Sequence, residues 1–138
     1  MFLSFLNFGD KDITYKAAGG KDGIRQLVDC FYDTMSESDR YQVLRNLHPD
    51  DLTLSRDKLW RFLCGWMGGG PTYQDTYGEI SIPDAHAHIC VTYELRDAWM
   101  SCMQEAIGEQ SFSKELVEYL MTQLAFPAER IRQVSEQS

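Results

Sequence analysis

The sequence predicts an all-α domain built on four principal amphipathic helices. Apolar residues recur at i, i+3, i+4 and i+7 in four separate stretches, and glycine or proline punctuates their ends. No run alternates with period two for more than a few residues. At 138 residues, 43% hydrophobic and 25% charged, the chain has the length and composition of one domain with its own core.

Ile24, Leu27, Val28, Phe31 and Met35 form the first stripe, so a helix is expected over 22–36, entered sharply through Gly19-Gly20. A shorter helical segment is expected over 39–47. It ends at His48-Pro49, because a residue before proline is pushed out of the α region. Leu59, Phe62, Leu63, Trp66 and Met67 make the next stripe, over 54–67, with Ser55 as the expected N-cap. The run Gly68-Gly69-Gly70-Pro71 stops that helix; it follows a helix and lacks the Lys-Ser/Thr of a phosphate loop.

From Thr72 to Ala85 nothing is periodic, and an extended loop of this length is often functional. Leu95, Ala98, Trp99, Cys102, Met103, Ala106 and Ile107 mark a helix over 94–108, broken at Gly108. Leu116, Val117, Leu120 and Leu124 mark another over 113–126, capped by Ser113 and ended at Phe126-Pro127. A short polar helix is expected over 128–135.

The net charge of −8, with no basic cluster, argues against nucleic-acid and anionic-membrane partners. The cysteines at 30, 64, 90 and 102 are far apart, without the close pairs of thiolate metal sites; Cys30 and Cys102 fall on apolar stripes and read as core. The apolar start MFLSFLNF lacks a basic flank and is too short to span a bilayer, so a cytoplasmic protein with reduced thiols is expected.

Histidine occurs only at 48, 86 and 88. On a helix, His86 and His88 would lie about 200° apart and could not both face one metal ion. A lone neutral imidazole facing a pocket between apolar helices is how haem iron is held from one side. A surface or locally bonded histidine is the plainer alternative for each of the three.

The fragments YKAAGG at 15–20, VDCFYDTM at 28–35, LHPDDL at 47–52, FLCGWMGGGPTY at 62–73 and ELRDAWMSCM at 94–103 resemble, in order and spacing, the group II truncated globins. The resemblance covers about 13–126 and implies a two-over-two α-helical sandwich that binds b-type haem (heme b). Its crossed pairs would be 22–36 with 54–67 and 94–108 with 113–126. The 74–85 loop would end in a very short proximal helix.

In that family the proximal histidine stands ten residues before the Arg of RDAW, which is Arg96 here and selects His86 as the iron ligand. The distal tyrosine and tryptophan map to Tyr32 and Trp99, and His48 takes a position that packs on the haem. Ser55 and Leu59 map to the helix roofing the pocket, where small Ser55 leaves an entry path; Phe62, Leu63 and Trp66 are core with possible porphyrin-edge contact. The family usually has Arg directly before the proximal histidine, but Ala85 stands here, leaving Lys58 and Tyr73 as propionate partners.

Plainer alternatives remain open at this point. Tyr32 could be a helix-surface tyrosine, Trp99 is core whether or not its N–H reaches ligand, and Trp60 lies off its stripe. Tyr32 or His48 could also reach iron as a sixth ligand. The resemblance implies dioxygen, carbon monoxide or nitric oxide as ligands, with chemistry on reactive nitrogen or oxygen species favoured over carriage and a reductase as partner. A ligand sensor without turnover, or a haem-free helical partner-binding module, are the alternatives. Residues 1–12 are expected to form an N-terminal extension before a 13–138 domain, and Phe2, Leu3, Phe5 and Leu6 of the extension would pack on that domain or support self-association; monomer and homodimer both remain open.

Overall fold

A computed structural model describes residues 7–79, 86 and 88–136. The expectations for Phe2, Leu3, Phe5 and Leu6, for the loop at 80–85 and for Ala85 lie outside the described residues. Seven α-helices follow in order among those described: α1 Ile13–Ala17, α2 Gly20–Glu37, α3 Gln42–Arg45, α4 Thr53–Trp66, α5 Thr72–Tyr77, α6 Tyr93–Gly108 and α7 Lys114–Glu136. A 3₁₀ turn, Asp39–Tyr41, leads into α3.

Helix α2 is the hub. Its predicted stripe of Ile24, Leu27, Val28, Phe31 and Met35 is entirely buried. It packs against both α4 and α6, and α6 packs in turn against α7, so both predicted pairs form. The buried thiol of Cys102 on α6 donates to the Phe31 carbonyl, 3.4 Å away, at the centre of the α2–α6 contact. Arg56 of α4 bonds the Asp29 and Asp33 carboxylates on α2 at 3.1 and 2.7 Å.

Several sequence expectations are corrected. Ser55 does not cap α4: the helix begins earlier, and the Asp51 carboxylate accepts from the Thr53 amide at 2.9 Å and from its hydroxyl at 2.7 Å. Ser55 is therefore the third residue of the helix, and the amides two and three residues on, which a cap would serve, already bond within the helix. The aperiodic stretch after Pro71 opens with α5, too short to show a period. It is held on α4 by Arg61 bonded to Thr76 at 3.0 Å and Tyr77 bonded to Asp57 at 2.5 Å.

The predicted stop at Phe126-Pro127 is also overturned, because α7 runs through Pro127 to Glu136 and absorbs the separate 128–135 helix. An interior proline removes one backbone bond and costs about 3 kcal/mol. A tertiary bond beyond it sustains the helix: Glu129 accepts from Arg96 of α6 at 2.7 Å, and within α7 it also accepts from Arg132 at 2.7 Å. The Ser113 cap does form, accepting from the Leu116 amide at 3.1 Å.

The glycine run does more than stop α4. Gly68 has φ +98°, and a Cβ there would stand 1.8 Å from the Lys11 carbonyl oxygen; one on Gly69 would meet the Tyr15 ring at 2.4 Å. The Tyr15 amide donates to the Met67 carbonyl at 2.9 Å, so the run is the seat on which the α1 region docks. Gly68→Ala is expected to destabilise the fold by more than about 2 kcal/mol, from backbone strain plus collision. Gly70→Ala, with φ +105° and no atom within 4 Å, should cost only the strain, about 1 kcal/mol. Urea unfolding compares them, and equal losses would refute the docking role.

Candidate functional site

The α2–α6 packing brings two of the predicted site residues to one buried ring. The Tyr32 and Trp99 rings stand edge-on to Phe31, with centroids 5.1 and 5.5 Å away. Tyr32 is 5% exposed, which removes the surface alternative. Burial pushes its phenol up to about 12, against a smaller opposing pull from the Arg56 guanidinium above its ring, so at neutral pH it is an O–H donor. Neither the Tyr32 hydroxyl nor the half-buried Trp99 indole N–H bonds to a described residue. By contrast, Trp60 donates to the Lys21 carbonyl at 2.8 Å and lies between Arg25 and Arg61, a structural role.

His48 completes this corner, its ring edge-on to Tyr32 at 5.7 Å. Arg45 holds the turn that places it, donating to the Pro49 and Asp50 carbonyls at 3.0 Å each. His48 Nδ1 lies 3.0 Å from the Leu44 carbonyl, which makes Nδ1 the protonated nitrogen and leaves a lone pair on Nε2. Burial is the main cause that lowers its pKa; the Leu44 hydrogen bond opposes it and the Arg45 charge adds to it. His86 is half-buried at the start of a turn in which the Ile89 amide donates to its carbonyl at 3.0 Å, whereas His88 is exposed.

Helix α4 supplies the apolar wall. Ser55, Leu59, Phe62 and Trp66, spaced by 4, 3 and 4, share one face and are all half-buried, while Leu63 is 1% exposed in the core. On α6, Leu95, Ala98 and Trp99 are half-buried, whereas Cys102, Met103, Ala106 and Ile107 further along are fully buried. Half-buried apolar side chains on α4 and α6, with two donors on α2 and α6, have the chemistry that a flat apolar group with a polar ligand needs. Lys58 is exposed, its Nζ 5.5 Å from the Tyr77 ring, and Tyr77 packs at a 47° tilt on Tyr73 with centroids 5.0 Å apart, so both predicted propionate partners sit on the α4–α5 edge. A cleft of about 520 Å³ lies there, lined by Phe62, Trp66 and Tyr73 among others, but not by Tyr32 or His86.

The sequence matches the family described as bacterial-like globin over residues 13–133. It is 32% identical over 109 residues to the group 2 truncated hemoglobin YjbI of Bacillus subtilis (strain 168), covering 79% of this chain and 80% of that protein. The chain belongs to the truncated globin family. Among solved structures of that family, the group II 2-on-2 hemoglobin of Agrobacterium tumefaciens superposes with a TM-score of 0.82 at 28% identity, covering 86% of this chain and 92% of that one. The truncated oxygen-avid haemoglobin of Bacillus subtilis gives 0.78 at 31% identity, covering 86% and 97%. The two-over-two fold is thereby established, and membership of this globin family implies haem-based binding of small ligands such as dioxygen. No described helix is long and apolar enough to cross a membrane.

Sequence reasoning missed Tyr77, Glu129, Arg132 and Ser135 in this globin. The signal was present for the α7 residues: Glu129, Arg132 and Glu136 have the i, i+3 and i+4 spacing of helix ion pairs. The Arg96 and Arg132 guanidiniums, Arg132 foremost, hold the Glu129 carboxyl down to about 2.

The lowered pKa of His48 has a consequence for stability. The unfolded chain takes up the proton first, so stability is full above the ordinary histidine range and declines as pH falls through it. His48→Gln should flatten that decline between about pH 7.5 and about pH 5, measured by urea unfolding. Equal slopes in the two proteins would contradict the burial penalty.

Proposed function

We propose that this truncated globin holds a b-type haem through His86 and retains dioxygen or a related diatomic ligand with the Tyr32 hydroxyl and the Trp99 indole N–H. What carries the reading is that these two donors flank one buried ring, Phe31, and make no bond to any described residue. Both donors are therefore available to a ligand, and a bond to a partly charged acceptor is stronger than one between neutral groups.

When bound, haem supplies the iron, its redox equivalents and a coordination position for ligand. The His86 imidazole would give one ring nitrogen to the iron. Leu59 and Phe62 on α4, with Ala98 on α6, would cover the porphyrin faces and exclude water, while Lys58 and Tyr73 on the α4–α5 edge would receive the propionates. Leu63, in the core, would back that wall. Tyr32 and Trp99 would donate to a dioxygen ligand, which carries partial negative charge when bound, and His48 would hold Tyr32 in place from its edge. Ser55, small and half-buried on the same face as Leu59, would leave an entry path.

Two donors slow release, which suits chemistry on reactive nitrogen or oxygen species better than carriage; the oxygen-avid character named for the Bacillus subtilis relative supports the retention half of this reading. A reductase would then be needed to return the iron to its ferrous state. Reduced protein with carbon monoxide should show a Soret shift that His86→Ala abolishes. Tyr32→Phe and Trp99→Phe should each raise the dioxygen off-rate by about 10-fold or more, from the loss of one bond to a partly charged acceptor. Unchanged off-rates in both variants would defeat the proposed distal pair. Steady-state nitric oxide oxidation at useful rates would support turnover, and its absence a sensor.

A further inference from the structure

The stretch of α7 beyond Pro127 ends on the segment that follows His86. The Ser135 hydroxyl donates to the Ile89 carbonyl at 3.1 Å, and its oxygen accepts from the Val91 amide at 2.7 Å. The Ile89 amide in turn donates to the His86 carbonyl at 3.0 Å. A continuous hydrogen-bonded path therefore runs from the last turn of α7 to the backbone of His86.

That last turn is itself fixed. Arg132, with a side chain only 7% exposed, bonds Glu129 through Nε at 2.7 Å and Nη2 at 2.8 Å, and bonds Glu136 through Nη1 at 2.8 Å. Its guanidinium stacks on the Tyr93 ring at 4.0 Å, and Arg96 stacks on the same ring at 4.9 Å while bonding Glu129 at 2.7 Å. Tyr93 is the first residue of α6, two after Val91, and the Thr92 hydroxyl caps that helix by accepting from the Leu95 amide at 3.1 Å. The chain after His86 is thus held at one end by the start of α6 and along its length by Ser135.

We infer that Ser135 is a positioning residue for His86: its hydroxyl sets the backbone from which the imidazole meets the haem iron. This rests on the assignment of His86 under the proposed function. Groups that orient a metal ligand from outside the first coordination sphere change metal affinity by about 10–100-fold when removed. The effect requires the hydroxyl, since a methyl can neither donate to Ile89 nor accept from Val91.

The test uses the ferrous, ligand-free holoprotein. In Ser135→Ala the iron–histidine stretching band in resonance Raman spectra should move and broaden, and haem transfer to apomyoglobin should quicken about 10-fold. Amide exchange at Val91 should accelerate as well. Ser135→Thr, which keeps the hydroxyl, should restore the band and the haem-transfer rate. An unchanged band in Ser135→Ala, or the same shift in Ser135→Thr, overturns the positioning role. If the wild-type band survives His86→Ala and is lost in His88→Ala, the assignment of His86 falls, and this inference with it.

Discussion

Packing of α2 against α6 around Phe31 fixes where Tyr32 and Trp99 stand. Phe31 is fully buried, its ring meets Tyr32 from one side and Trp99 from another, and its carbonyl accepts from the Cys102 thiol. Edge-to-face contacts of this kind are worth about 0.5–1.5 kcal/mol each beyond the area buried. Neither tyrosine nor tryptophan depends on a loop for its position; both stand on rigid helices, as a preorganised site requires. His48, by contrast, stands on a turn, and that turn is tied down by Arg45.

Around this apolar centre the helices are joined at their edges by charge. Arg56 links α4 to α2, Arg61 links α4 to α5, and Arg96 with Arg132 and Glu129 links α6 to α7. Isolated exposed ion pairs contribute little. Here the guanidiniums are mostly shielded and each makes several bonds, so they fix the angle of one helix on another. Burial determines that the helices pack, and the arginines determine how each lies.

The helices and their buried faces were legible because a 3.6-residue period survives in the sequence wherever one face is buried. The glycine run was legible as a stop but not as the seat for residues near Lys11, since a close backbone approach leaves no period. Pro127 misled for the opposite reason: its local rule is strong, and only bonds from Arg96 and Ser135 to partners distant in sequence override it. Of the candidate site, Tyr32 and Trp99 could be picked out by resemblance, but the ring that orients both, Phe31, was visible only as core. Lys58 and Tyr73 were named by resemblance, but helix α5 itself went unread because a helix as short as Thr72–Tyr77 completes fewer than two turns.

Helix α7 has a further consequence through its two unequal parts. Before Pro127 it is anchored by Leu116, Leu120 and Leu124 in the core; beyond it, the hold is by hydrogen bonds and ion pairs near the end of the described helix. Helix ends fray at lower free energy than buried segments open. The backbone behind His86 is therefore coupled to the less stable half of the helix, while Tyr32 and Trp99 stand on α2 and α6, which pack on each other in the core. With His86 as the iron ligand proposed above, the histidine side of the pocket is expected to loosen on warming before the side carrying Tyr32 and Trp99.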